Sequence, residues 1–176
     1  MREHIRIGLV SISDRASEGT YQDQGIPALQ DWLGKALTSP WTAETRLIPD
    51  ERVLIERTLV ELVERAGCNL VLTTGGTGPA VRDVTPEALD RLKTAGDVRD
   101  IPGFGELFRM ISYRSIGTST VQSRACAVVA RGTYIFALPG SNGAVKDGWD
   151  GILAEQLDSR NCPCNFVDLM PRLREK

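Results

Sequence analysis

The segment at residues 72–88, LTTGGTGPAVRDVTPEA, carries the strongest structural signal in this chain of 176 residues. A short apolar run, Leu70–Thr74, leads into Gly75–Gly78, and a helix start follows at Thr85 and Pro86. Thr85 is predicted to cap that helix and Pro86 to be its first residue, because threonine accepts hydrogen bonds from the first helical amides and proline has no amide hydrogen to satisfy. A strand, a glycine-rich turn and a helix in this order indicate one unit of a parallel α/β sheet.

The sequence on either side continues the alternation of strands and helices. Apolar runs predict further strands at residues 5–13, 41–48, 125–130 and 133–138. Apolar stripes at helical spacing predict helices at residues 27–37, between Asp50 and Gly67, around residues 104–111 and from residue 145 onward. The polar stretch from residue 14 to residue 25 is predicted to be a loop, and Arg131-Gly132 a hairpin turn. The predicted fold is a three-layer α/β domain over residues 1–176, with a mainly parallel sheet, helices on both faces and one antiparallel hairpin strand.

Composition and charge exclude several classes of protein. The net charge is −2 and neither half of the chain is strongly basic, which argues against nucleic acid as a partner. The longest apolar run, Ala125–Ala130, is far shorter than the roughly 20 residues of a membrane span, and the first residues do not resemble a secretory signal. The 4 cysteines and the single histidine, His4, lack the spacing of a zinc site and predict a reduced, cytoplasmic protein.

The residues suited to chemistry follow the carboxyl ends of predicted strands. Asp14, Asp50, Gly75–Gly78 and the loop starting at Pro139 should therefore converge at one edge of the sheet, where α/β proteins bind ligands. Glycines let backbone amides approach an anion closely. Carboxylates beside such a site, Asp50 and Asp83, are consistent with Mg²⁺ between them and the anion. The spacing matches neither a P-loop nor a dinucleotide fingerprint.

Each of these residues also has a purely structural interpretation. Asp50 could be only a helix N-cap, and Asp83 could pair with Arg82 or be solvated. The glycines could form an ordinary turn. Ser141 and Asn142 could belong to a turn that caps the last helix.

Four stretches together resemble the Mog-type molybdopterin adenylyltransferases, which are related to the gephyrin G domain. They are LTTGGTGP at 72–79, RDVTPEA at 82–88, VSISDRAS at 10–17 and LIPD at 47–50. The likeness continues through the loop at Leu138-Pro139-Gly140 and covers most of residues 5–150. MoaB-type proteins share the Thr-Gly-Gly-Thr-Gly motif, but RDVTP at 82–86 favours the Mog type.

The resemblance implies a homotrimeric nucleotidyltransferase of molybdenum cofactor biosynthesis. Such an enzyme transfers AMP from Mg-ATP to the terminal phosphate of molybdopterin and releases pyrophosphate, and a downstream enzyme then inserts molybdate. Asp50 and Asp83 correspond to the catalytic, Mg²⁺-binding aspartates of the family. The residues expected to bind substrate are Ser13, Asp14, Gly75, Gly76, Thr77, Gly78, Pro139, Gly140, Ser141 and Asn142. The alternative is a non-catalytic molybdopterin carrier or scaffold with the same fold.

Overall fold

A computed structural model describes residues 4–94 and 96–175 and contains one sheet of six strands. The strands are β1 (Ile5–Ile12), β2 (Trp41–Ile48), β3 (Leu70–Thr74), β4 (Val98–Asp100), β5 (Cys126–Ala130) and β6 (Thr133–Leu138). Their order in the sheet is β2-β1-β3-β6-β5-β4. The first four in this order run parallel, whereas β5 pairs antiparallel with both β6 and β4. The predicted mainly parallel sheet with an antiparallel hairpin strand is confirmed.

Helices cover both faces of the sheet. They are α1 (Asp14–Ser17), α2 (Gly25–Ala36), α3 (Arg52–Val60), α4 (Thr85–Thr94), α5 (Pro102–Ile116), α6 (Asn142–Gly148) and α7 (Phe166–Leu169). A π-helical turn, Glu61–Arg65, extends α3, and 3₁₀ turns follow α5 at Gly117–Gln122 and α7 at Pro171–Arg174. A π-helical turn, Trp149–Leu153, and a last α-helical turn, Ala154–Gln156, extend α6. Helices α2, α5 and α6 pack on one face of the sheet, and α3 and α4 pack on the other.

Burial explains why the central strands are almost continuously apolar. Strands β3 and β6 are buried at every position, since helices cover both of their faces. The edge strand β2 instead keeps polar side chains exposed along most of its length. The hairpin turn between β5 and β6 has Arg131 and Gly132 at φ +50° and +79°, the left-handed backbone that a two-residue turn requires.

The structure corrects two element predictions. The stretch predicted as a loop begins with the single helical turn α1, because the Ser13 hydroxyl accepts a hydrogen bond from the Ala16 amide at 3.2 Å and so caps it. The edge strand β4 has no counterpart in the prediction, since three residues are too few to show a periodic pattern. Within residues 4–94 and 96–175, no helix is long and apolar enough to cross a membrane.

Two predicted helix caps are also wrong. Glu51, not Asp50, occupies the N-cap position of α3, and no side chain caps that helix. Thr85 is the first residue of α4 rather than its cap. The side chains of Asp50 and Thr85 instead make tertiary contacts at the carboxyl edge of the sheet. Their positions next to a helix start do not reveal these contacts.

Candidate functional site

A cleft of about 620 Å³ opens at the carboxyl edge of the parallel strands. The loops that follow β1, β2, β3 and β6 form its walls. Every residue predicted to be catalytic or to bind substrate lines this one cleft: Ser13, Asp14, Asp50, Gly75, Gly76, Thr77, Gly78, Asp83, Pro139, Gly140, Ser141 and Asn142. The topology therefore brings together residues that are far apart in the sequence, as the parallel sheet predicts.

The glycine loop after β3 packs too tightly for side chains. Gly75 and Gly76 have φ values of +107° and +67°, which L-residues rarely adopt. A Cβ atom at Gly75 would collide with the carbonyl oxygen of Ile12, at the end of β1. A Cβ atom at Gly76 would collide with the Thr85 hydroxyl and lie 3.1 Å from Oδ1 of Asp50. Glycine at these positions lets the loop contact both neighbouring loops of the cleft.

Thr85 fixes this loop to the start of α4. Its side chain is fully buried, and its hydroxyl donates to the carbonyl oxygen of Gly75 at 3.0 Å. Its backbone amide donates to the carbonyl oxygen of Gly76, also at 3.0 Å. Two hydrogen bonds from Thr85 thus hold Gly75 and Gly76, the two glycines of this loop that have positive φ values.

Asp50 is half-buried and is held by Asp14. Oδ2 of Asp50 accepts a hydrogen bond from the Asp14 amide at 3.2 Å, and the Asp50 amide donates to Oδ1 of Asp14 at 2.9 Å. Burial is the main cause that raises the pKa of Asp50, and the negative charges of Asp14 and Asp83 act in the same direction. The hydrogen bond from Asp14 opposes these effects without cancelling them.

Asp14 has protein partners on both carboxylate oxygens. Besides the Asp50 amide on Oδ1, Oδ2 accepts from Nε and Nη2 of Arg82 at 3.0 and 2.6 Å. The bond from Arg82 is the main cause that lowers the pKa of Asp14, followed by the bond from the Asp50 backbone. Asp14 thus ties together the loops after β1, β2 and β3.

Asp83 is placed at the far end of the glycine loop. Its Oδ2 accepts from the Ala80 amide at 2.9 Å, and a Cβ atom at Gly78 would lie 2.7 Å from the same oxygen. The alternative interpretation, a pair between Asp83 and Arg82, is wrong because Arg82 binds Asp14 instead.

Arg124, which the sequence analysis did not identify, binds the backbone of the loop that carries Asp83. Its Nε donates to the carbonyl oxygen of Gly78 at 2.8 Å and its Nη2 to the carbonyl oxygen of Asp83 at 2.5 Å. Its backbone amide donates to Thr77, and its Nη1 pairs with Glu87 on α4. Arg124 lies 41 residues beyond Asp83 and binds carbonyl groups, so no motif or spacing points to it.

The opposite wall of the cleft comes from the loop after β6. The Ser141 hydroxyl accepts from the Ala144 amide at 3.4 Å and caps α6, which confirms the structural interpretation of that residue. The Asn142 side chain donates to Oε1 of Gln24 at 3.2 Å, across the gap to the start of α2. The cleft is completed by residues outside the predicted substrate-binding set; they are Ser11, Ile12, Arg15, Ala16, Tyr21, Asp23, Gln24, Gly25 and Thr74.

The two aspartates fit a magnesium ion that is completed by other ligands. Oδ1 of Asp50 and Oδ1 of Asp83 accept no hydrogen bond from any residue within 4–94 or 96–175. Over the same residues, no three acidic, cysteine or histidine side chains converge to form a cation site. Mg²⁺ commonly takes one or two protein carboxylates and completes its octahedron with water and substrate phosphates. The two free carboxylate oxygens, both on residues that line the cleft, are of the ligand type that Mg²⁺ takes.

Comparisons with known proteins agree with this architecture. A family model described as "Probable molybdopterin binding domain" matches residues 8–159. The molybdopterin adenylyltransferase of Escherichia coli (strain K12) is 55% identical over 148 residues, which are 84% of this chain and 73% of that protein. Molybdenum cofactor biosynthesis protein B of the same strain is 40% identical over 161 residues, 92% of this chain and 90% of that one. The crystal structure of the tungsten cofactor synthesizing protein MoaB from Pyrococcus furiosus aligns with a TM-score of 0.79 at 30% identity, covering 99% of this chain and 100% of that chain. This chain therefore belongs to the molybdopterin-binding family that contains the Mog-type and MoaB-type proteins.

Proposed function

We propose that this protein is a molybdopterin adenylyltransferase, which transfers AMP from Mg-ATP to the terminal phosphate of molybdopterin. The observation that carries the proposal is the convergence of Asp50, Asp83 and the glycine loop in one cleft. The 55% identity to a protein of that name supports the same reaction.

The residues of the cleft suit a nucleotidyl transfer, because such reactions depend on positioning and charge neutralisation more than on a protein nucleophile. An oxygen of the terminal phosphate of molybdopterin attacks the α-phosphorus of ATP. The bond from that phosphorus to the bridging oxygen breaks, and its electrons leave with pyrophosphate. The backbone amides of Gly76, Thr77 and Gly78 donate to no acceptor within residues 4–94 and 96–175 and can bind a phosphate group, whereas the Gly75 amide donates to the carbonyl oxygen of Leu138 at 3.0 Å.

In this proposal Asp50 and Asp83 hold the magnesium ion, which neutralises negative charge on the phosphates when it is bound. The chain's own contribution is to fix both carboxylates before substrate arrives. Asp14 fixes Asp50, and Arg124 fixes the backbone of Asp83. Preorganised charges of this kind are a large source of rate enhancement.

The decisive experiment incubates the purified protein with molybdopterin and Mg-ATP. We expect pyrophosphate and adenylylated molybdopterin in equal amounts, and we expect chelation of Mg²⁺ to stop both. A carrier or scaffold would bind molybdopterin without any dependence on ATP. Folded protein that binds molybdopterin but releases no pyrophosphate at any Mg²⁺ concentration would establish that alternative.

We also propose that the protein is a homotrimer, and the exposed side of α5 supports self-association. Met110 is 67% exposed and Tyr113 58% exposed, and Leu107, Ile116 and Val121 are exposed apolar side chains of the same helix and the turn after it. Large apolar patches on a soluble protein usually mark an interface. Light scattering should give three subunit masses for the wild type and a smaller mass for Met110→Glu. A wild-type mass of one subunit would contradict the proposal.

A cytoplasmic location and transfer of the product to a downstream molybdate-insertion enzyme complete the proposed function. Both follow from the reaction, which uses ATP and yields an activated intermediate rather than a finished cofactor. A pull-down of that enzyme with the adenylylated product bound, compared with the empty protein, tests the transfer.

A further inference from the structure

A second pocket of about 330 Å³ lies beside the cleft, between α2 and α6. Ala28 and Trp32 on α2 and Val145 on α6 form its apolar part, and we call it the Trp32 pocket. The pocket adjoins the cleft, since five residues line both spaces: Gln24, Gly25, Thr74, Gly140 and Asn142. A ligand could therefore extend from the cleft into the pocket.

The aromatic wall of the pocket is held in place. The Trp32 ring is half-buried and stacks on the buried ring of Trp149, with the ring centroids 5.9 Å apart and the planes 30° from parallel. Trp149 belongs to the core under α6. A ring supported in this way offers a flat apolar surface at little entropic cost, which suits a planar ligand.

The rim of the pocket carries two side-chain amides. Nδ2 of Asn142 donates to Oε1 of Gln24 at 3.2 Å. The other half of each amide, Oδ1 of Asn142 and Nε2 of Gln24, has no hydrogen-bond partner among residues 4–94 and 96–175. One free acceptor and one free donor at the edge of an apolar slot can pair with the edge of a nitrogen heterocycle.

We infer that the Trp32 pocket binds the planar nitrogen heterocycle of a substrate whose phosphate groups lie in the cleft. The inference rests on the proposed function, because ATP and molybdopterin each join a heterocycle to phosphate. The purine of ATP and the pterin of molybdopterin share the required chemistry: a flat aromatic face, and ring edges with both donors and acceptors. The pocket is suited to one such ring, and the cleft beside it is suited to the phosphates.

The variant Ala28→Leu tests the inference, since it narrows the pocket without touching the cleft. Ala28 lines the pocket and not the cleft, and leucine is well tolerated in a helix. Gln30→Leu is the matched control, because it adds the same side chain to an exposed position of α2. The probes are Mg-ATP, inorganic tripolyphosphate with Mg²⁺, and molybdopterin, each titrated by calorimetry.

We expect Ala28→Leu to weaken the binding of one substrate about tenfold or more and to leave tripolyphosphate affinity unchanged. Weaker binding of Mg-ATP identifies the ring as the purine, and weaker binding of molybdopterin identifies it as the pterin. The control should bind all three probes like the wild type. Unchanged affinity of folded Ala28→Leu for both substrates would overturn the inference.

A second measurement does not depend on the stability of that variant. The ring that enters the pocket should change the fluorescence of Trp32, and Trp32→Phe should abolish this change. The same change in wild type and Trp32→Phe would count against the pocket. A failure of the proposed function would be observed separately, because the wild-type protein would then release no pyrophosphate.

Discussion

The loops that carry Asp50 and Asp83 are anchored by different side chains, an aspartate for Asp50 and an arginine for Asp83. Among the residues that the structure describes, Asp50 is held by Asp14 alone: its carboxylate accepts from the Asp14 amide, and its own amide donates to the Asp14 carboxylate. Asp83 is held largely through its backbone, because Arg124 binds the carbonyl oxygens of Gly78 and Asp83. Within residues 4–94 and 96–175, each carboxylate accepts one backbone amide, at 3.2 Å for Asp50 and 2.9 Å for Asp83, but only Asp83 also has its backbone held by an arginine.

This difference affects how substitutions should be interpreted. A change of charge at Asp83 leaves the Arg124 contacts in place, so its effect on turnover measures the carboxylate itself. A change at Asp50 also alters a half-buried charge and its bond to Asp14. We therefore expect a substitution at Asp50 to change both stability and activity, and a substitution at Asp83 to change mainly activity.

The largest expected effect is that of Asp83→Asn on turnover. The amide keeps an acceptor for the Ala80 N–H but removes the negative charge beside the glycine loop. Loss of a preorganised electrostatic group costs on the order of 10²-fold in rate, and we expect at least that loss of pyrophosphate release. Asp31→Asn, at an exposed position of α2, is the control and should leave turnover unchanged. Wild-type rates with the same Mg²⁺ dependence in Asp83→Asn would remove Asp83 from the reaction.

Asp50→Asn should lower turnover by a similar factor and also stabilise the fold at neutral pH. The folded protein raises the pKa of Asp50, mainly through burial. This group therefore favours folding most below its unfolded pKa of about 3.9, and that contribution is lost as pH rises through the folded value. At pH 7 the ionised carboxylate opposes folding, and asparagine avoids that cost. Urea unfolding should show the variant more stable at pH 7, with the advantage gone at about pH 3; a less stable variant at pH 7 would contradict the argument.

The sequence was sufficient to predict the sheet and to gather the cleft residues, because both depend on local apolar patterns and on the rule that parallel strands end at one edge. The sequence was insufficient where a side chain could make either a local contact or a contact with a residue that is distant in the chain. Asp50 precedes a helix, so a cap was a reasonable prediction, but the contact with Asp14, 36 residues away, determines its role. Arg124 gave no signal because it binds carbonyl oxygens, which every residue possesses.

Gly76 lies between the two anchored loops, and Gly76→Ala should disturb both. Its φ of +67° costs an L-residue about 1–2 kcal/mol, and the new Cβ would press on Thr85 and Asp50. We expect lower stability by at least that amount and weaker molybdopterin binding. Gly34→Ala in α2 is the opposite case, since no atom lies within 4 Å of its Cβ position and alanine favours a helix by about 0.5–1 kcal/mol. Thermal unfolding should therefore shift in opposite directions, and two shifts of the same sign would argue against strain at Gly76.

The smallest effect expected is that of Arg124→Lys, and it isolates the backbone anchor of Asp83. Lysine keeps the positive charge but cannot reach Gly78, Asp83 and Glu87 with separate donors. Two lost hydrogen bonds at about 0.5–1.5 kcal/mol each should lower stability modestly, and a looser Asp83 should lower turnover about tenfold.

The matched control for that variant is Arg174→Lys, in the 3₁₀ turn Pro171–Arg174. Arg174 also donates to backbone carbonyls, at 3.0 Å to Cys68 and 3.5 Å to Gly132, but it does not line the cleft. Its loss should reduce stability to a similar degree and leave turnover unchanged. A rise in the Mg²⁺ concentration needed for half-maximal rate in Arg124→Lys alone separates positioning from general destabilisation, because only Arg124 binds the loop that carries Asp83. Equal Mg²⁺ requirements in the two variants would show that Arg124 has only a structural role. The hydrogen bond from the Ala80 amide would then be the contact that positions Asp83.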